Sequence, residues 1–253
     1  MTVSAFTLFS SSAGNCTYVT DGETRFLIDA GYSEKRIKAA LAAAGTSLDD
    51  ISAIFVTHEH SDHTHALPVI CRHRELPVHA VKQTARCLNI NCAVPHTELY
   101  SERLGGFTVN SFRTSHDSRG SCGYVIEHES GVKIGTLTDT GFVSDEMLTA
   151  LDGCFAVILE SNYDEDMLLN GPYPPDLQYR IMSKRGHLSN SQCAEILPAL
   201  YGGGTRRVLL AHLSKENNTP ETALTRALAE LEREGIRDMS VGCADRLEIT
   251  RLI

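Results

Sequence analysis

Four of the eleven histidines in this 253-residue chain fall within eight positions, in the run Thr57-His58-Glu59-His60-Ser61-Asp62-His63-Thr64-His65. The run reads H-x-H-x-D-H. In an extended or turning segment the i, i+2 spacing sets the imidazoles of His58 and His60 on one side, and Asp62 and His63 can turn toward a second point nearby. Imidazole and carboxylate are ligands for zinc, iron or manganese, so one short loop could seed two adjacent metal positions. A polar, histidine-rich surface loop is the bland alternative, but chance placement is a poor source for a pattern with a metal mechanism.

Two metal positions need more donors, and the chain offers them in a repeated setting. Residues 51–57 read as a buried strand that runs straight into His58. His116 follows a strand-like segment, 107–112, and the short connector Arg113-Thr114-Ser115. Asp139 follows a strand expected over 132–138, and His212 closes the apolar run Val208-Leu209-Leu210-Ala211. Each residue alone is more often a turn or capping residue. Together they place ligand-type side chains after three further core strands, as His58 is placed.

The elements that must position these residues alternate along the chain. Strands are expected at 3–9, 16–20 and 25–29, with Asp21-Gly22 as a hairpin signal, and later at 122–128, 155–160 and 207–211. A helix capped by Ser33 buries Ile37, Ala40, Leu41 and Ala44 before Gly45 ends it. Ser189-x-x-Gln192 forms a capping box ahead of 193–200, and Thr219-Pro220 opens a helix with an Ala223, Leu224, Ala227, Leu228 and Leu231 stripe. No linker, repeat or low-complexity run interrupts the pattern. It indicates one α/β domain over residues 1–253, built of stacked sheets and flanking helices.

The formal net charge of −9 argues against a surface that wraps nucleic acid throughout or adheres to anionic membrane. It leaves room for a local cationic focus: two divalent ions at the cluster would move the sum to about −5. No apolar run approaches the ~20 residues of a membrane helix, and the first residues lack a secretory pattern, so a cytoplasmic protein is expected. The eight cysteines include no C-x-x-C pair, which points to reduced thiols rather than disulfides or a thiolate zinc site.

With these residues in view, the whole chain resembles a metallo-β-lactamase-fold hydrolase, where H-x-H-x-D-H is followed by a His, an Asp and a final His. It is most similar to the YycJ/WalJ branch, on Phe9-Ser10-Ser11-Ser12-Ala13-Gly14-Asn15, Ile28-Asp29-Ala30-Gly31, Glu160-Ser161-Asn162-Tyr163-Asp164, Gly186-His187-Leu188-Ser189-Asn190 and the run from Ala211 to Asn218. The resemblance implies a four-layer αβ/βα sandwich of two mixed sheets flanked by helices. It implies that His58, His60 and His116 hold one metal, that Asp62, His63 and His212 hold the other, and that Asp139 bridges them. Zinc is the default, with manganese or iron possible. One departure is Ala66, where the family commonly has glycine; an added methyl shifts packing and leaves the ligands in place.

Two such metals can hold a bridging hydroxide and stabilise charge at a phosphoryl oxygen. Asp62 and His187 are then the catalytic candidates, with His187 as the acid that protonates the departing oxygen, or else a structural residue at a helix start. The resemblance suggests that Asp29 supports the metal loop, with ordinary turn formation as an equal alternative. Asn15 and Asn218 could bind phosphate or brace loops, and Arg180, Lys184 and Arg185 could contact a polynucleotide backbone or form a solvated face. His65, His73, His79, His96 and His128 are given no role. The resemblance thus implies a metal-dependent phosphodiesterase, a 5′-to-3′ DNA exonuclease in DNA repair, with single strands or duplex ends as substrate. The alternatives are a small-molecule hydrolase acting on a thioester, lactam or cyclic phosphate, or a non-catalytic metal-binding protein.

Overall fold

In the computed structural model, which describes residues 2–97 and 99–253, β1 (Ser4–Ser11), β2 (Gly14–Thr20) and β3 (Arg25–Ile28) form an antiparallel meander. Asp21 builds the turn before β3: its Oδ1 accepts from the N–H groups of Glu23 and Thr24, while Gly22 takes a φ of 98°. β4 (Ala53–Phe55), β5 (Val78–Val81) and β6 (Ala93–His96) then add in parallel. The second sheet repeats this plan. β7 (Ser101–Leu104), β8 (Phe107–Arg113), β9 (Cys122–His128) and β10 (Lys133–Leu137) are antiparallel, and β11 (Ala156–Glu160), β12 (Arg207–Ala211) and β13 (Ser240–Cys243) follow in parallel. β14 (Thr250–Arg251) returns to pair with β1, so each sheet has seven strands.

Parallel neighbours require crossovers, and helices supply them. α1 (Glu34–Ala43) joins β3 to β4, and α2 (Ser61–Thr64) and α3 (Leu67–His73) lie between β4 and β5. α4 (Lys82–Ala85) follows β5, and α5 (Asp145–Leu151) precedes β11. α6 (Glu165–Asn170), α7 (Pro175–Met182) and α8 (Asn190–Gly202) fill the β11–β12 connection, and α9 (Pro220–Arg233) leads to β13. The expected caps are present: Ser33 accepts from Arg36 N, Ser189 and Gln192 form the reciprocal box, and Thr219 accepts from Thr222 N.

Alternation along the strands sorts side chains into three apolar layers. Phe26, Ile28, Phe55, Phe107, Tyr124, Ile134 and Ile158 meet between the sheets. Leu27 and Ile54 face outward to Ile37 and Leu41 of α1 and Ile70 of α3, and Val157 and Leu159 face Leu197 of α8 and Ala227 of α9. Helix, sheet, sheet, helix is the four-layer arrangement that the sequence implied. Strands β5, β6, β7, β13 and β14 were not expected. They are short, and Ser101-Glu102-Arg103-Leu104 or Ala93-Val94-Pro95-His96 carry no strong apolar pattern because they close sheet edges.

The expectation of eight reduced thiols is corrected at one pair: Cys71 and Cys92 are disulfide-bonded, with Cα atoms 6.1 Å apart. The bond joins α3 to the residue that precedes β6. Cys92 lies there because its carbonyl accepts from Val78 N at the start of β5, a long-range pairing that no local spacing announces. The other six cysteines are free, and Cys16, Cys122, Cys154 and Cys193 are buried.

Candidate metal centre

Strand ends converge at one place between the sheets. The loop after β4 supplies His58 and His60, α2 supplies Asp62 and His63, and the segment after β8 supplies His116. Asp139 follows β10, Glu160 ends β11 and His212 follows β12. These are carboxyl ends of strands, the usual ligand edge of an α/β sheet. Three residues here, Asp29, Asp139 and His212, have φ values of 62°, 57° and 58° and are the non-glycine left-handed residues among those described. Such backbone costs of order 1–3 kcal/mol each and collects at functional sites. Gly31 permits the close approach of the metal loop, since a side chain there would collide with the Asp62 carbonyl. Ala66 sits in an ordinary helical conformation, φ −80°, so its methyl is tolerated.

All seven positions expected to hold metal are brought together. His58, His60 and His116 each offer a nitrogen within 4.8 Å of the others; a carboxylate oxygen of Asp62 and nitrogens of His63 and His212 lie equally close, and a carboxylate oxygen of Asp139 lies within that distance of His58 and His63. The imidazoles are aimed by partners behind them. His63 Nδ1 donates to Asp29 Oδ2 at 2.7 Å, His116 Nδ1 to the Gly186 carbonyl at 3.1 Å, and His212 Nδ1 to Glu160 Oε1 at 2.9 Å. Each contact fixes a tautomer and leaves Nε2 for a metal. Asp29 is itself held by Thr57, whose N–H and Oγ1 both donate to it at 2.9 Å.

The donor set fits a divalent metal. His58 Nε2, Asp139 Oδ2 and His212 Nε2 are buried without a hydrogen-bond partner. Three unsatisfied polar atoms from separate elements in one place are unfavourable unless a cation engages them. Charge agrees with this. Burial keeps the His58 and His116 imidazoles below their ordinary pKa, hence neutral as ligands must be. Burial alone would raise Asp62 and Asp139, but the surrounding histidines outweigh it and hold both carboxyls well below the usual range. Against the cost of burial, those carboxylates and their neighbours raise His63 and His212, the latter to about 10, so a cation bound there would displace their protons.

Glu160 is the residue that sequence reasoning left without a role. It is fully buried, and four donors converge on it: Oε1 accepts from His187 Nδ1 at 2.7 Å and His212 Nδ1 at 2.9 Å, and Oε2 from Thr140 N at 3.0 Å and Leu188 N at 3.2 Å. Burial opposes its ionisation, yet His187 and His212 hold its pKa down to about 2. The signal was present, since a glutamate ending an otherwise apolar strand has no packing reason to be there. His187 shares Glu160 Oε1 with His212, its ring 5.0 Å from that of His116 and 5.2 Å from that of His212, and it borders a cavity of about 200 Å³ that Tyr173, Leu177 and Arg180 also line. Asn218 is a brace: its side chain bonds Asn190 and the carbonyls of Ser161 and Asn162. Asn15 instead reaches the cluster, with Nδ2 3.0 Å from His63 Nε2. Outside the cluster, His79, His96 and Glu102 also meet, with His79 Nδ1 and His96 Nε2 satisfying each other at 3.0 Å.

This arrangement has relatives. Residues 24–213 match the beta-lactamase superfamily domain. A Bacillus anthracis protein named exodeoxyribonuclease YycJ is 37% identical over 235 residues, covering 90% of this chain and 89% of that one. The Streptococcus pneumoniae exodeoxyribonuclease WalJ is 32% identical, covering 93% and 89%. Among solved structures, the metallo-β-lactamase fold protein YhfI of Bacillus subtilis superposes with a TM-score of 0.74 at 14% identity, covering 99% of this chain and 100% of that one. Fold and site together define a metallo-β-lactamase architecture. The chain belongs to that superfamily, in the branch that contains YycJ and WalJ.

Proposed function

We propose that this chain is a metal-dependent phosphodiesterase, a 5′-to-3′ DNA exonuclease that serves DNA repair in the cytoplasm. The observation that carries the hydrolytic part is the convergence of His58 Nε2, Asp139 Oδ2 and His212 Nε2, buried and unpartnered, beside an accessible His187. Support for a DNA substrate comes from the kinship with two chains named exodeoxyribonucleases.

His58, His60 and His116 would hold one divalent ion, Asp62, His63 and His212 a second, and Asp139 would lie between them. Zinc suits the donors, and manganese or iron would also be accepted by imidazole and carboxylate. When bound, such ions supply Lewis acidity, lowering the pKa of water and offsetting charge on a phosphoryl oxygen. The rest falls to the chain. Asp62 is the more open of the two carboxylates, 21% exposed against 3% for Asp139, and would orient an incoming water. Glu160 holds the Nδ1 proton of His187, which leaves Nε2 to deliver a proton to the departing oxygen. Sharing one carboxylate with His212 ties the position of that acid to the ligand set.

The test is digestion of DNA labelled at the 5′ or the 3′ end, with zinc, manganese or iron supplied in turn. Loss of label from the 5′ end first, abolished by a chelator and by Asp62→Ala, is expected. Intact DNA together with rapid turnover of a thioester would replace this reading with a small-molecule hydrolase.

A further inference from the structure

A larger cleft, about 770 Å³, shares only His116 with the cavity beside His187. Its walls come from the β8–β9 connection, the segment that follows α7, the start of α4 and the residues beyond β6. Three guanidinium groups belong to it: Arg113, Arg119 and Arg185. Among the described residues no aspartate or glutamate lines it, although the protein as a whole is acidic. Arg113, Arg119 and Arg185 also form no ion pair with a described carboxylate, whereas Arg180 is occupied by Asp117 at 2.5 Å. The group Arg180, Lys184 and Arg185 is therefore divided by the fold: Arg185 faces the cleft and Arg180 does not.

A second observation is independent of charge: side-chain hydrogen bonds tie the segments of the wall together. Thr84 Oγ1 donates to the Gly120 carbonyl at 2.7 Å, Ser121 Oγ to the Thr114 carbonyl at 3.2 Å, and Ser115 Oγ to the Lys184 carbonyl at 2.8 Å. Arg185 Nε donates to the His116 carbonyl at 3.3 Å, so the cleft is joined to the metal cluster through the backbone of an expected ligand.

We propose that this cleft binds the sugar–phosphate backbone of single-stranded DNA continuing from the reacting bond, with Arg113, Arg119 and Arg185 on its phosphates. The proposal rests on the exonuclease reading and specifies how that site holds its polymer. The cleft volume of about 770 Å³ suits a single strand, and binding of a duplex is the competing outcome that titration separates. No phenylalanine, tyrosine or tryptophan lines the cleft among the described residues, and its apolar side chains are Val81 and Leu99. Contacts are therefore with phosphates and independent of sequence.

The metal-loaded protein and its Arg113→Gln/Arg119→Gln variant are titrated into fluorescein-labelled, phosphorothioate-linked dT20, and anisotropy is read over a range of salt. Each exposed charge contact is worth up to about fivefold in binding. The double variant is expected to bind about tenfold more weakly and to lose roughly 1.4 from the slope of log K against log salt, ~0.7 per phosphate contact. Equal affinity and slope in wild type and double variant would overturn the proposal, as would a blunt 20-base-pair duplex binding equally well through the same arginines. Failure of the exonuclease reading looks different: strand binding would keep its dependence on Arg113 and Arg119 while ordinary end-labelled DNA stays intact with every metal.

Discussion

Replacing Glu160 by glutamine is the most informative single change, because it preserves shape and removes charge from a carboxylate with four donors. The amide can offer its oxygen either to His187 and His212 or to the N–H groups of Thr140 and Leu188. The other pair then faces an NH₂ group. Two hydrogen bonds to a buried charge are lost, at about 1.5–3 kcal/mol each, so a stability loss of about 3 kcal/mol or more is expected. Where the amide turns its oxygen to Thr140 and Leu188, the change also releases the Nδ1 atoms of His212 and His187. Loss of such a supporting partner costs roughly 10–100-fold in metal affinity, and loss of a positioned acid roughly 10²–10⁴-fold in rate. Urea denaturation, metal titration with a competing chelator, and turnover of a phosphodiester with metal in excess separate the three effects. Glu160→Gln that keeps wild-type metal affinity and kcat at saturating metal would refute the role assigned to this carboxylate.

His187→Ala should lower the rate of phosphodiester cleavage about 10²–10⁴-fold while metal content stays the same; an unchanged rate removes its acid role. Tyr124 donates to the Val56 carbonyl at 2.7 Å, tying the second sheet to the strand end that leads into His58. Tyr124→Phe should therefore cost about 1–2 kcal/mol in denaturation, leaving a buried carbonyl unpaired. Gly31→Ala should be more damaging than its size suggests, because the methyl displaces the Asp62 carbonyl; reduced metal content in a folded variant, followed by circular dichroism and metal analysis, would show it. Acid stability has a defined contributor at the β2–β3 turn. Burial opposes ionisation of Asp21, but N–H bonds from Thr24 and Glu23 and the contact with His128 hold its carboxyl below the ordinary 3.8. Such a depressed group adds stability above pH 3.8 that is lost as pH falls through its folded value. Asp21→Asn should therefore flatten the stability profile in that acid range, and an unchanged profile would show that Asp21 contributes nothing there.

Much of the site was legible because its residues are written next to strand ends. His58, Asp139 and His212 each follow an apolar run, and that placement can be read without knowing which strands are neighbours. Asp29 was legible only as a motif, and its bond to His63 Nδ1 joins elements 34 residues apart. Glu160 escaped assignment because its partners, Thr140, His187, Leu188 and His212, are spread over more than 70 residues. Arg180, Lys184 and Arg185 could not be separated in sequence, since the difference lies in Asp117 reaching Arg180 and in the cleft wall taking Arg185.

By itself the sequence determined the local structure: the periodicities that make β1, β9 and β12, the capping box at Ser189, and the H-x-H-x-D-H run whose spacing suits metal ligands. These follow from interactions within a few residues, where order along the chain and proximity in space coincide. The tertiary structure decided everything that depends on which ends meet. It joined Cys71 to Cys92, set two sheets so that their strand ends share one cluster, left His58 Nε2, Asp139 Oδ2 and His212 Nε2 in that cluster without hydrogen-bond partners, and collected three arginines around one cleft of an acidic protein. Burial creates those demands, because a polar atom that water would satisfy in the open chain must find its partner across the fold.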